Sequence, residues 1–368
     1  MAFKDKYFQK NTGDYPATLK LGELTYEKVE DLRYGTNPHQ PAAYYRIRGK
    51  KEQPFGHYQI LKEGKNGLSQ TNLEDANQAV RIIKYFDLPA VAVMKHLNPS
   101  GAAIQWEGET QLDVYKKARD VDAQAAFGSS VIFNERVEAP VAREIMGSIV
   151  ENVYAPDFSE EALAIFNDFS QFKKNKEIRV VKLPDLSSVP RYISDPAEPE
   201  IKVLQDGSLI LAMPYLTKIR SREDLIVART EHKERGEIQC KRVPSDAQYK
   251  DLLFSWYVNL GVRSNGIIIA KNGVTLAVGT GEQDRVGALE QAILKAKKKS
   301  ALGLSLEGAV VSSDGFFPFR DSIDLCAREG ISAIIQPGGS LRDYEVIEAC
   351  NEHGIAMVFT DERCFSHH

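Results

Sequence analysis

The chain has 368 residues, 43% of them hydrophobic, with 47 Lys+Arg against 51 Asp+Glu for a net charge of -4. That is enough apolar material for a sizeable core and two or three domain-sized units, and the near-neutral balance excludes a broad basic field for nucleic-acid phosphates. The start, M-A-F-K-D-K-Y-F-Q-K, has no apolar leader core, and the longest apolar runs are strand-length; the chain reads as a cytoplasmic enzyme with neither nucleic-acid nor membrane partner.

In chain order, the stripe Leu73, Ala76, Val80, Ile83 and Phe86 predicts a helix over 72–86. A buried strand Ala90–Met94 follows, running out into an Asn98-Pro99-Ser100-Gly101 turn. Leu112–Arg119 reads as helix, Ser130–Phe133 as strand, and Ser159–Phe172 as helix, with Ser159 as its cap. The Pro/Ser/Asp-rich run Leu183–Pro199 interrupts regular structure and divides the chain into 1–195 and 196–368. Beyond it come a helix Asp246–Leu260, strands Ile267–Ala270 and Thr275–Val278 joined through Lys271-Asn272-Gly273, and a helix Gln283–Lys299. Strands Ala309–Ser312, Ala333–Gln336 and Ala356–Thr360 then alternate with helices Ser322–Glu329 and Asp343–His353. This alternation predicts α/β layers with a substantially parallel sheet, and the two halves look loosely alike.

Ligands of such sheets bind beyond the carboxyl ends of strands, which singles out four loops. Lys95-His96 joins a base that titrates near neutrality to an ammonium able to stabilise an oxyanion. Arg33-Tyr34-Gly35, standing before any regular element, offers a bidentate phosphate fork, or simply a surface arginine. Arg263-Ser264-Asn265-Gly266 and the Gly279-Thr280-Gly281 turn leading to Arg285 suggest an anion site. Phe316, Phe317 and Phe319, followed by Gln336–Ser340, offer a stacking platform or an interface plug. The basic run Lys295, Lys297, Lys298 and Lys299 reads as a solvated helix end. Cys240, Cys326, Cys350 and Cys364 lack metal spacing and read as reduced, packed thiols; only Cys364, close to His367 and His368, raises a metal or nucleophile role.

Together R-Y-G-x-N-P-H-Q, K-H-x-N-P-x-G, A-F-G, R-S-N-G, F-F-P-F-R-D and T-x-x-R-x-F occur in order from Leu32 to the terminal histidine, and this set resembles AICAR transformylase (phosphoribosylaminoimidazolecarboxamide formyltransferase). The resemblance implies two cytidine-deaminase-like α/β/α halves. The scaffold would be zinc-free, since H-x-E and P-C-x-x-C do not occur. It implies formyl transfer from 10-formyltetrahydrofolate to the 5-amine of AICAR, the penultimate step of purine (IMP) biosynthesis. His96 would be the base, Lys95 the charge stabiliser, and Asn265 a group reaching the formyl region from a partner subunit. Arg33, Tyr34 and Arg363 would hold the nucleotide phosphate, and Gly128 and Glu151 its base and ribose. Arg285, Phe316, Asp321 and Ser340 would line the folate pocket, with Phe365 closing over the imidazole. A homodimer with shared sites, a structural monovalent cation and a separate IMP cyclohydrolase for a stand-alone transformylase also follow from the resemblance. A non-catalytic nucleotide sensor on the same scaffold is the alternative.

Overall fold

The computed structural model describes residues 8–51, 53–299 and 302–367, the side chain of residue 299 excepted. Among these the chain forms a mixed α/β fold with one large sheet and eight α-helices. An antiparallel sheet of β1 (Thr18–Leu21), β2 (Leu24–Asp31) and β3 (Ala43–Ile47) comes first. Arg33 therefore follows a strand directly, against the expectation that no regular element precedes it. The alternating polar residues of Leu24–Asp31 hide this half-exposed strand in a charged sequence.

Then come β4 (Gln59–Lys62), α1 (Gln70–Ile83), the hairpin β5 (Ala90–Lys95) and β6 (Asn98–Ile104), and α2 (Gln111–Asp120). The first half closes with β7 (Ser129–Phe133), α3 (Ala139–Met146), β8 (Val150–Ala155), α4 (Glu160–Phe166) and β9 (Arg179–Lys182). Two exposed or half-exposed ribbons, β10 (Glu200–Val203) with β11 (Leu209–Ala212) and β13 (Arg229–His232) with β14 (Gly236–Gln239), flank the short β12 (Ile226–Val227). The second half continues with α5 (Asp246–Asn259), the hairpin β15 (Ile267–Lys271) and β16 (Val274–Gly279), and α6 (Arg285–Lys299). It ends with β17 (Val310–Ser313), α7 (Asp321–Arg328), β18 (Ala333–Gln336), α8 (Asp343–His353) and β19 (Ala356–Phe359).

Twelve strands form the main sheet in the order β12-β19-β18-β17-β15-β16-β6-β5-β7-β8-β9-β4. Read outward from the β6/β16 seam, the two halves match strand for strand: a hairpin, an antiparallel neighbour, two parallel strands and a short antiparallel edge strand. The loose likeness in sequence is a full topological repeat. The seam itself is antiparallel, Val274 opposite Ala103, so the repeat is two-fold and the two hairpin turns lie at opposite ends of the sheet.

Strand residues alternate between two cores. Val91 and Val93 pack with Val114, Val141, Ala162, Leu289, Ile323 and Ile347 of the six helices on one face. Ala92 and Met94 pack with Ala76, Val80, Leu252 and Trp256 of α1 and α5 on the other. A period of two with both faces buried makes these strands continuous apolar runs. Serine and threonine caps start the helices: Ser69, Thr110 and Ser245 form capping boxes, and Ser159 accepts from the Ala162 amide.

Several expectations need correcting. Asn98-Pro99-Ser100-Gly101 is the first part of β6, not a turn. Gly101 is required because a Cβ there would collide with the Ala118 carbonyl of α2 and come within 2.9 Å of Val121 just after it. The helix at Ser159 stops at Phe166 rather than Phe172, since Asn167 and Asp168 take the following turns into their own hydrogen bonds. Elements α3, β8 and β9 went unread because β8 and β9 carry Glu151, Asn152 and Arg179 in otherwise apolar runs. The run Leu183–Pro199 holds a single 3₁₀ turn, Leu186–Ser188, and an isolated bridge from Tyr192 to Thr217, while the sheet is continuous across both halves. No helix among the described residues is long and apolar enough to cross a membrane.

Candidate active site

The turn between β5 and β6 is only two residues, His96 and Leu97, both left-handed with φ of 53° and 67°. That geometry fits the twist of a tight hairpin but disfavours side chains, by about 1 kcal/mol or more per residue. The cost is offset by the Asp75 carboxylate of α1, which accepts from the Leu97 amide at 2.8 Å. The Lys95 Nζ donates to the Gly128 carbonyl at 2.7 Å. Gly128 has a φ of 68°, and a Cβ there would stand 3.2 Å from that ammonium. The His96 ring is exposed and hydrogen-bonds to no described residue, so it stands open to a ligand. Lys95, His96, Asn98, Asp122, Val278 and Lys295 line a small cavity of about 220 Å³ under the turn.

Behind the turn runs a buried polar row. Ser130 Oγ donates to Asp75 at 3.1 Å, Asn152 Nδ2 to Ser130 Oγ at 2.9 Å, and Arg179 Nη1 to Asn152 Oδ1 at 3.2 Å. Arg179 Nε then holds the Gly67 carbonyl at 2.6 Å. Burial pushes the Asp75 carboxyl up, against the Leu97 amide, the Ser130 hydroxyl and the His96 and Lys95 charges. Burial also lowers Arg179 to about 10, helped by repulsion from Arg33 and opposed by Glu151. Arg33 is only 2% exposed, which removes the surface-arginine reading. It donates to the Tyr34 hydroxyl at 3.0 Å and the Lys65 carbonyl at 3.2 Å, and burial lowers its pKa. Glu151 faces Lys65 at 3.9 Å. Arg33 Nε and Arg179 Nη2 are buried donors with no partner among the described residues. Asp75, Ser130, Asn152 and Arg179 escaped the sequence reading; the one signal was polar residues inside apolar runs.

A second cluster forms at the same end of the sheet. Arg285 binds the fully buried Asp314 at 2.5 Å, Ser313 Oγ at 2.8 Å and Asn265 Oδ1 at 2.7 Å. Asp314 also accepts from Ser264 Oγ at 2.5 Å and the Gly266 amide at 2.8 Å. Arg285 is thus the group that orients Asn265, whose Nδ2 donates to the Glu282 carbonyl at 2.9 Å. Phe365 lies against this cluster: Arg285 and Arg363 stand 5.7 and 4.7 Å from its ring centre. Of the three loop phenylalanines, Phe317 is core while Phe316 and Phe319 remain exposed.

Within one chain the two clusters meet at Asn98, whose Oδ1 accepts from the Arg263 amide at 3.0 Å and Thr280 Oγ at 2.9 Å. Not every expected residue joins them. Among the described residues no hydrogen bond links Arg363 to Arg33, or Asp321 and Ser340 to the Arg285 cluster. Asp321 accepts from the Ser322 amide at the start of α7, and the Ser340 amide donates to Asp343. Lys295 reaches back to the Val278 carbonyl and Lys297 pairs with Glu329, so that helix end is partly tied down. All four cysteines are free and buried, and burial holds the Cys364 thiol well above its ordinary range. No group of three His, Cys, Asp or Glu able to hold a metal occurs among the described residues, and His368 lies outside them.

Residues 2–295 match the AICARFT/IMPCHase bienzyme family. The chain belongs to that family. It is 39% identical over 349 residues to the bifunctional purine biosynthesis protein PurH of Aquifex aeolicus, covering 94% of this chain and 60% of that protein. It is also 39% identical over 359 residues to the PurH of Magnetococcus marinus, covering 96% and 62%. The chain thus spans about three-fifths of the length of these family members. A crystal structure of a diaminohydroxyphosphoribosylaminopyrimidine deaminase/5-amino-6-(5-phosphoribosylamino)uracil reductase from Thermotoga maritima aligns with 27% of this chain and 31% of that one. The identity is 23% and the TM-score 0.22, too low to carry an argument.

Proposed function

We propose that the chain transfers a formyl group from 10-formyltetrahydrofolate to the 5-amine of AICAR, giving the formamide and tetrahydrofolate. The observation that carries this reading is the β5–β6 turn: its imidazole is exposed and hydrogen-bonds to no described residue, while the Lys95 ammonium, held on the Gly128 carbonyl, lines the same small cavity. The AICAR amine is a weak nucleophile, its lone pair delocalised into the imidazole and carboxamide. His96 would take its proton during attack, and Lys95 would stabilise charge on the tetrahedral adduct and help protonate the departing folate nitrogen. The buried, incompletely bonded Arg33 and Arg179 guanidiniums, with Tyr34, suit a phosphate monoester. Gly128 and Glu151 lie between them and Lys95, where the ribose and base would extend. Asn265, held by Arg285, faces the formyl side, with Phe365 and the exposed Phe316 offering flat surfaces to the heterocycles. By the same reading Arg363, Asp321 and Ser340 would complete the site at its phosphate and folate ends.

The same reading takes the two halves, 1–195 and 196–368, as cytidine-deaminase-like units used without zinc, and the working form as a cytoplasmic homodimer. The purified chain mixed with AICAR and 10-formyltetrahydrofolate should release tetrahydrofolate. His96→Ala should lower turnover about 10²–10⁴-fold while nucleotide affinity stays within a few-fold. Nucleotide binding with no product from the unaltered chain would instead identify a sensor.

A further inference from the structure

The two-fold repeat supplies an internal comparison. In both halves a helix aspartate caps a two-residue hairpin turn whose residues are left-handed. Asp75 holds Leu97, and Asp251 holds the amides of Asn272 and Gly273 at 2.9 and 2.8 Å. In both halves the strand-end lysine donates to a carbonyl just before the next strand, Lys95 to Gly128 and Lys271 to Glu307. The corners are built alike.

What lies behind them is not alike. The cross-strand row beginning at Met94 runs through Ser130, Asn152 and Arg179. The equivalent row beginning at Ala270 runs through Val310, Ala333 and Ala356. The second half therefore makes the same lysine-bearing corner on a wholly apolar row, which shows that the fold does not need polar groups there. Burying a hydroxyl, an amide and a guanidinium is costly unless each is bonded, and one Arg179 donor is not. The costlier row occurs only behind the turn that carries a histidine.

We propose that Asp75, Ser130, Asn152 and Arg179 are positioning residues for the proposed formyl transfer. In this scheme the row is a rigid brace that fixes the His96–Leu97 turn relative to the Arg33 loop. One end grips the Leu97 amide and the other the Gly67 carbonyl, while the Arg33 amide is bonded to the neighbouring Leu68 carbonyl. A nucleotide seated by its phosphate at Arg33 then presents its amine at a fixed distance from the imidazole. Misplacement of reacting groups by about 1 Å can cost on the order of 10²-fold in rate. This inference rests on the reading given under Proposed function.

The test transplants the second half's residues into the first: Ser130→Val with Asn152→Ala, beside Ser130→Thr, which keeps the hydroxyl, and Asp251→Asn, which loosens only the other corner. We expect the double variant to lose about 10–100-fold in kcat, with KM for AICAR and 10-formyltetrahydrofolate within about threefold. Its melting temperature should fall modestly, because Asp75 and Arg179 each lose a buried partner, and its Leu97 amide should exchange with deuterium about tenfold faster or more. Ser130→Thr should restore most of the rate, and Asp251→Asn should leave kcat unchanged. Wild-type kcat and Leu97 exchange in the double variant would overturn the brace. So would a rate loss shared equally by Ser130→Thr, which keeps the hydroxyl. If the unaltered chain shows no formyl transfer, the functional reading falls and Leu97 exchange alone decides whether the row holds the turn.

Discussion

Replacing Asp314 by alanine should be among the most damaging single changes to the second cluster. Asp314 is 0% exposed and serves three donors: the Arg285 guanidinium at 2.5 Å, Ser264 Oγ at 2.5 Å and the Gly266 amide at 2.8 Å. Arg285 is itself largely buried, so its charge cannot turn to solvent once the carboxylate is gone. Breaking a buried pair from one side typically costs about 3–5 kcal/mol, and the two orphaned donors add to it, so we expect about 4 kcal/mol or more. The loss can be read from the urea denaturation midpoint through the fluorescence of Trp256, buried in α5. Adding Arg285→Met to Asp314→Ala removes the uncompensated charge and should return about 1.5 kcal/mol. A cost below about 1 kcal/mol for Asp314→Ala, or strict additivity in the double variant, would refute the view that this pair is tightly coupled.

Gly101→Ala should lower stability by about 2–3 kcal/mol in thermal unfolding, because the added methyl meets the α2 backbone, which cannot yield as a side chain end would. Lys84 gives a pH-dependent prediction. Burial lowers its pKa from 10.5 to about 8, while its ammonium donates to the Pro190 carbonyl. Below pH 8 both folded and unfolded chains carry the proton, and the folded state bears the full cost of the buried charge. Between about pH 8 and 10.5 only the unfolded chain remains protonated, so this group makes stability rise with pH across that window. Lys84→Met should therefore stabilise the protein at neutral pH, by up to about 3 kcal/mol, and remove that alkaline rise in denaturation experiments.

Buried runs were the legible part of the fold: Ala90–Met94, Ile267–Ala270 and Ala333–Gln336 are strands close to where the residue pattern puts them, because apolar content on both faces leaves one plausible state. The ribbons and the first sheet were not legible, since half-exposed strands with Lys and Glu look like loops. Asn98–Gly101 misled for a specific reason. Proline and glycine usually mark turns, but here Pro99 is in the hairpin strand and Gly101 makes room for a helix, while the turn is borne by two residues that disfavour it. In the candidate site, residues displayed at strand ends and in loops, such as Lys95, His96, Arg33 and Asn265, draw attention from the sequence alone. Those that work from inside strands or helices, Asp75, Asn152 and Arg179, acquire meaning only from partners far away in sequence.

The width of the sheet bears on where a ligand can lie. Neighbouring strands rotate by roughly 20–25° on average, so twelve of them turn the outermost pair through more than half a revolution. Loops near β4 and β12 consequently look out in widely different directions, whereas the β5–β6 turn and the Arg263–Gly266 segment, both beside the seam, stand together at one end of the sheet. A molecule gripped by both halves at once has to sit over the central few strands, and its reach is measured in nucleotide lengths rather than in the breadth of the protein.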